Sequence, residues 1–150
     1  MKEPIYKAKT RKDGKWYEGN YFRLHEDEEI LHCLAYNAMW NCTDGGISEI
    51  DDYVIQPETL CEFTGLLDSF GNRVYLNDVL SVRFEYDSEM RDYPPDYVYE
   101  SGIVGFDDSE MRYIIRFVSD NNQYEEVIPL SEITDCEICV IENIFDTKED

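Results

Sequence analysis

The sequence predicts a mainly β protein: a single domain, residues 1–150, of short antiparallel strands that form a barrel or two packed sheets. Three observations lead there. Strand-like runs alternate with turn residues along nearly the whole chain. Twelve Tyr and seven Phe suit pleated, half-buried surfaces better than an all-helical bundle. Hydrophobic residues make up 43% of 150 residues, enough for one core that buries roughly 70% of the unfolded surface. No internal repeat, second domain or low-complexity linker is visible.

The elements follow in order. From Ile5, strand alternation puts Lys7, Lys9 and Arg11 on one, solvated face and Tyr6, Ala8 and Thr10 on the other. Asp13-Gly14, between IYKAK and KWYEGNYF, is a hairpin turn. Between Glu28 and Trp40 the pattern changes: Ile30, Leu31, Leu34, Ala35 and Ala38 fit a helical stripe, so one short helix is left open there. CEFTGL, RVYL and DVLSVRF then read as strands. The loop 68–72 joins the first two, with Asp68 accepting hydrogen bonds from its own backbone and Gly71 taking a positive φ. Further strands are expected over 102–106, 112–118, 123–128 and 136–145, with a turn at Asp120-Asn121-Asn122.

Charge is unevenly placed. Residues 1–24 hold seven Lys/Arg and three acids, net +4, whereas the whole chain is −21, which leaves −25 for the remainder. Phosphates would be repelled by that acidic part, so direct nucleic-acid binding is not expected, and a partner with a basic surface is. The basic head, even with Trp16 and Tyr17 beside it, is better explained by pairing with the molecule's own acids, within or between subunits. Duplex DNA carries one charge per ~1.7 Å, so a face about 35 Å long would need about 20 carboxylates to imitate it. The 31 acids after residue 24 suffice in number, but their placement depends on the fold. No apolar run is long enough to span a membrane and the Lys-rich start has no signal-peptide core, so a cytoplasmic protein is expected.

Catalytic and metal motifs are sparse. The two histidines, His25 and His32, belong to no HExxH pattern, and no Gly-x-Ser-x-Gly, Walker or dinucleotide fingerprint occurs. His32 and Cys33 are adjacent, and sequence neighbours on a strand or helix point apart. Five cysteines without a secretory signal read as reduced thiols; Cys136 and Cys139 have CxxC spacing, but on a strand they face opposite ways and lack a second ligand pair. Asp120-Asn121-Asn122 with Glu125 lacks the glycine and spacing of a calcium loop. No metal, cofactor or enzymatic activity is expected.

The most distinctive run lies between Val54 and Val82. It carries Pro57, Glu58 and Thr59; Thr64, Gly65 and Leu66; Asp68 and Gly71; and Tyr75, Asp78 and Val79. Together with YKAKTRKDGKWYEGNYF at the head and VIENIF at 140–145, this pattern resembles the YopX-like proteins of phages and prophages over most of the chain. The family usually has Gly where Asn77 and Glu142 stand here, so local geometry is expected to differ at those two positions. The resemblance implies a phage- or prophage-encoded accessory protein, extended structure also over 28–40, and a shorter connection where this chain has residues 85–101.

That longer segment, EYDSEMRDYPPDYVYES, combines six acids, four tyrosines and Pro94-Pro95. Tyrosine offers large contact area at low entropy cost, and carboxylates select charge. Tyr86, Asp87, Glu89, Asp92, Tyr93, Asp96, Tyr97 and Tyr99 are therefore the candidate partner-binding residues. The leading expectation is a protein that acts by binding, inhibiting or modulating a host nucleic-acid-associated or defence protein. Two alternatives stay open: a small-ligand (nucleotide) sponge or cryptic enzyme, and a self-assembling structural module whose basic head meets the acidic body of a neighbour in a homo-oligomer.

Overall fold

The computed structural model describes residues 5–35, 47–86, 96–118 and 125–146. Ten strands occur in it: β1 (Tyr6–Lys9), β2 (Trp16–Glu26), β3 (Glu29–Ala35), β4 (Cys61–Leu67), β5 (Arg73–Tyr75), β6 (Asp78–Tyr86), β7 (Asp96–Asp107), β8 (Arg112–Val118), β9 (Glu125–Pro129) and β10 (Glu137–Asn143). They form two five-stranded antiparallel sheets, β3-β2-β1-β4-β5 and β10-β6-β7-β8-β9, neither closed into a barrel. Short 3-10 segments at Ile47–Tyr53, Pro57–Thr59 and Leu130–Ile133 are the helical elements among the described residues. The chain divides into two compact units, Met1–Phe63 and Thr64–Asp150, and β4 runs from the first into the second.

In the first unit the Asp13-Gly14 hairpin forms as the sequence predicts, pairing Lys9 with Trp16 and Tyr6 with Gly19. The Asp13 carboxylate holds the turn: it accepts from Thr10 Oγ1, from the Lys15 N–H at 2.9 Å and from the Tyr17 hydroxyl at 2.8 Å. These bonds, led by that from Thr10, lower its pKa to about 2. No helix forms over Glu29–Ala35, which is β3, seven residues paired with β2 from Asn20↔Ala35 to Glu26↔Glu29. Ile30, Leu31 and Leu34 fit both periods. What decides is the two-residue connection, with Asp27 at φ 54, which returns the chain directly onto β2, so cross-strand pairing overrides helix propensity. Ala38 and Trp40 lie outside the described residues. The small core of this unit is Ala8, Leu34 and Ile55, with Tyr6, Tyr17, Tyr21 and Leu60 packed against it.

The second unit has the larger core. Val74, Leu80, Val82, Val104, Ile115, Phe117, Leu130, Ile133 and Ile138 are all buried together. β6 and β7 pair over eight positions, from Val79↔Ile103 to Tyr86↔Asp96, so both ends of the acidic, tyrosine-rich segment are strand rather than loop. Gly102 sits opposite Phe117, where an added Cβ would come within 2.6 Å of Ile115 Cγ1. Only a glycine lets those side chains close over β7. The predicted turn at Asp120-Asn121-Asn122 lies outside the described residues.

Candidate functional site

The outer face of the second sheet follows from its register. Residues directly opposite in an antiparallel pair share a face. Leu80, Val82, Val104, Ile115 and Phe117 point into the core, which leaves the alternate set, Tyr97, Tyr99 and Ile103 on β7 with Arg83, Arg116, Val118 and Val127 around them, on the other side. Tyr97 is 48% exposed and Tyr99 64%, and Ile103, Val118 and Val127 are also exposed. At the middle of this face the small residues Ser81 and Ser101 pair, with Tyr99 and Arg83 beyond them on one side and Ile103 and Val79 on the other. The face is therefore low at its centre and raised at its ends.

Its cations are held in place. The Arg83 guanidinium lies 4.3 Å from the Tyr97 ring centroid and 2.9 Å from Glu137, and Arg116 bonds Glu125 at 3.0 Å. Fixing these long side chains in advance lowers the ordering cost of any contact made here. Of the eight candidate residues, Tyr97 and Tyr99 lie on this face. Tyr86 and Asp96 are paired through their backbones at the end of the β6–β7 ladder, and Asp87, Glu89, Asp92 and Tyr93 fall outside the described residues. Sequence reading missed Ile103, Val118 and Val127; the available signal was that β7 carries apolar residues at both odd and even positions, so that both of its faces are partly apolar.

The basic head is largely engaged by its own unit. Arg11 pairs with Asp51 and Lys12 with Asp52, each at 2.6 Å. Lys7 and Lys9 lie 4.9 and 5.6 Å from the Trp16 ring centroid. The expected solvated face thus needs correction at Lys9, which is only 6% exposed because Trp16 stands opposite and covers its stem. His32 accepts or donates a 2.6 Å bond at Nδ1 with the Tyr21 hydroxyl and stacks on that ring. Its neighbour Cys33 is buried, and desolvation raises the thiol pKa.

Cys136 precedes β10 and Cys139 lies within it, both half-buried thiols. Among the described residues no group of three His, Cys, Asp or Glu side chains is arranged to hold a metal ion, and no helix is long and apolar enough to cross a membrane. A shallow, open pocket of about 310 Å³ in the second unit is lined by Thr64, Gly65, Leu66, Arg112, Tyr113 and neighbouring residues of the 130–134 segment.

The motif between Val54 and Val82 builds backbone, and its Thr64, Gly65 and Leu66 also line that pocket. Thr59 Oγ1 accepts the Lys9 N–H at 2.9 Å and donates to the Gln56 carbonyl at 2.7 Å. Thr64 donates to the Val74 carbonyl at 2.8 Å. Asp68 accepts the N–H groups of Phe70, Asn72 and Val140, at 2.9, 2.8 and 3.0 Å. Burial of Asp68 opposes its ionisation, but these bonds outweigh it and hold the carboxyl below its ordinary value. Gly71 has the expected positive φ, +86. Asp78, fully buried, accepts the Tyr75 N–H at 2.8 Å and the Asn143 side-chain amide at 2.9 Å.

The sequence model of the YopX protein family matches residues 5–149. The chain belongs to the YopX family. No curated protein and no solved structure matches it. YopX membership points to a phage-type protein; at the two positions where glycine was expected, the structure shows what Asn77 and Glu142 do. Asn77 has φ 71, its N–H bonds the Val104 carbonyl and its carbonyl accepts from Ile144. Asn tolerates this left-handed conformation better than other residues with a Cβ, so a turn that favours glycine forms with Asn77 in place. Glu142 follows the register shift between Val140 and Glu142 in the β10–β6 pairing, a bulge position where glycine is common in strands.

Proposed function

We propose that this YopX protein acts by binding another protein, and that the outer face of its second sheet is the contact surface. The observation that carries this reading is the exposed, pre-positioned pair Tyr97 and Tyr99, with Arg83 stacked on the former and Ile103, Val118 and Val127 extending the apolar area. Aromatic anchors within an apolar patch rimmed by charge are typical of interface centres. A net charge of −21 favours a basic partner, which long-range attraction would steer onto the surface. A host nucleic-acid-associated or defence protein has that character, and a phage-type protein has reason to inhibit or modulate one in the host cytoplasm.

The test is capture from host lysate at low and moderate salt, with wild-type protein and with Tyr97→Ala/Tyr99→Ala side by side. A basic protein retained stoichiometrically by the wild type, released as salt screens charge and lost from the double variant, supports the proposal. Equal capture by both proteins removes this face from consideration. The shallow pocket beside Arg112 favours the second reading, a small-ligand protein. A stoichiometric small molecule in the native mass spectrum, displaced by Arg112→Ala, would favour it over protein binding.

A further inference from the structure

The second unit treats its two sheet edges differently. At β10 the loop after β4 closes the edge: Ile138 N–H donates to Ser69 Oγ at 2.8 Å, Ser69 N–H to the Ile138 carbonyl at 2.9 Å, and Val140 N–H to Asp68 at 3.0 Å. In the first unit the edge of β3 is likewise met, by the Ile55 N–H on the His32 carbonyl at 2.9 Å. β9 ends the second sheet on the other side, and among the described residues no strand pairs with its outer edge. An open edge carries a row of amides and carbonyls able to template another strand.

The residues of this edge select what it would accept. β9 reads Glu125-Glu126-Val127-Ile128-Pro129. Glu125, Glu126 and Val127 are exposed, and Pro129, which lacks an N–H, limits any added ladder to the four residues before it. A second copy of the chain would set its own glutamates against these, and like charges directly opposite destabilise a pair. A basic strand would be attracted instead, by the two glutamates and by the field of a −21 chain. Glu125 already bonds Arg116 at 3.0 Å, which leaves Glu126 as the stronger selector.

We infer that β9 is a strand-addition site for an extended basic segment of a partner protein. Main-chain hydrogen bonds along Glu125 to Ile128 supply affinity, basic side chains meet Glu126 and Glu125, and an apolar side chain covers Val127. The inference rests on the protein-binding reading above and adds to the tyrosine-bearing face a specific edge and a chemical class of occupant.

The probe is a fluorescein-labelled, end-capped peptide about eight residues long, of repeating Lys-Lys-Val-Val, a normal strand length. Its partner is the same peptide N-methylated at every amide, equal in charge but with no N–H on either edge to donate to a ladder. Anisotropy reads binding to the full chain at low salt, and amide hydrogen exchange locates it. Strand addition predicts slowed exchange confined to residues 125–128 and the neighbouring β8 amides. It also predicts binding at least about tenfold weaker for the N-methylated peptide, as the loss of one or two net hydrogen bonds implies. Glu126→Lys, an exposed substitution, should weaken the unmodified peptide as well. Equal binding of the two peptides, protection away from β9, or no binding overturns the inference. Tyr97→Ala/Tyr99→Ala separates the two proposals: if its capture of host protein is lost while the peptide still binds β9, both stand. If tyrosine-dependent capture persists in a protein whose β9 fails these tests, only the strand-addition inference falls.

Discussion

The two units of this chain are built on different materials. In the first, the core cluster of three buried residues, Ala8, Leu34 and Ile55, is walled by tyrosines, two of whose hydroxyls find specific partners, Tyr17 on Asp13 and Tyr21 on His32. In the second, the core cluster has nine buried residues, all aliphatic or phenylalanine. Apolar burial is the dominant favourable term in folding, whereas each net hydrogen bond adds only about 1 kcal/mol. The difference teaches that apolar burial concentrates in the second unit, while the first adds directional bonds that solvent can replace.

The sharpest way to break that comparison is to cut into each core. Leu80→Ala removes a fully buried side chain from the large cluster and is expected to cost about 2–5 kcal/mol, read as a lowered denaturant midpoint. Leu34→Ala in the first unit should cost less and raise amide exchange locally, without slowing the return of the second unit. Equal global losses would show that the two cores unfold as one.

Next in size is Gly102→Ala. The new methyl meets Ile115 and Phe117 in the closed core, and about 1–3 kcal/mol is expected from overpacking. Ile115→Val in the same chain should restore part of that loss, because it removes a methyl(ene) from the contact; no restoration would place the strain elsewhere.

Acid should act on both units through named carboxylates. Asp13 and Asp68 have pKa values below the ordinary 3.8, so folding favours their ionised forms. That stabilisation is fully present above about pH 4 and is lost as pH falls through the folded values, about 2 for Asp13. In a carboxyl NMR titration the Asp13 hairpin should lose protection over this window, and Asp13→Asn should flatten the response of the hairpin while leaving that of the Asp68 loop. The smallest effect belongs to Asn77→Gly. It places at a positive φ the residue that adopts it most readily, relieving the side chain while adding backbone entropy to the unfolded state, so the net change should stay within about 0.5 kcal/mol.

Much of the local architecture was legible because it is written in short-range chemistry. The Asp13-Gly14 hairpin and the Asp68–Gly71 loop were predicted with their roles, since Asp accepting from backbone one turn on and Gly at positive φ are properties of a few adjacent residues. The strands at 112–118 and 136–145 were likewise found within a few residues of β8 and β10. Long-range partners were not legible. The helical stripe between Glu28 and Trp40 was equally compatible with a strand, and its pairing with β2 decided the outcome. Lys9 looked solvated until Trp16 was placed opposite it.

The same division holds for the candidate surface. Composition determined that this protein is acidic and rich in tyrosine, its turn-punctuated runs that it is mainly β, and residues 54–82 with the two ends carried its family. Only tertiary structure decided which tyrosines are presented. β7 has apolar residues at both parities, so alternation could not choose its buried side. The choice came from register, which sets Gly102 against Phe117 and Val104 against Ile115 and so turns Tyr99 and Ile103 outward. Register is fixed by packing between residues distant in sequence, and a one-residue slip would exchange the two faces of the strand.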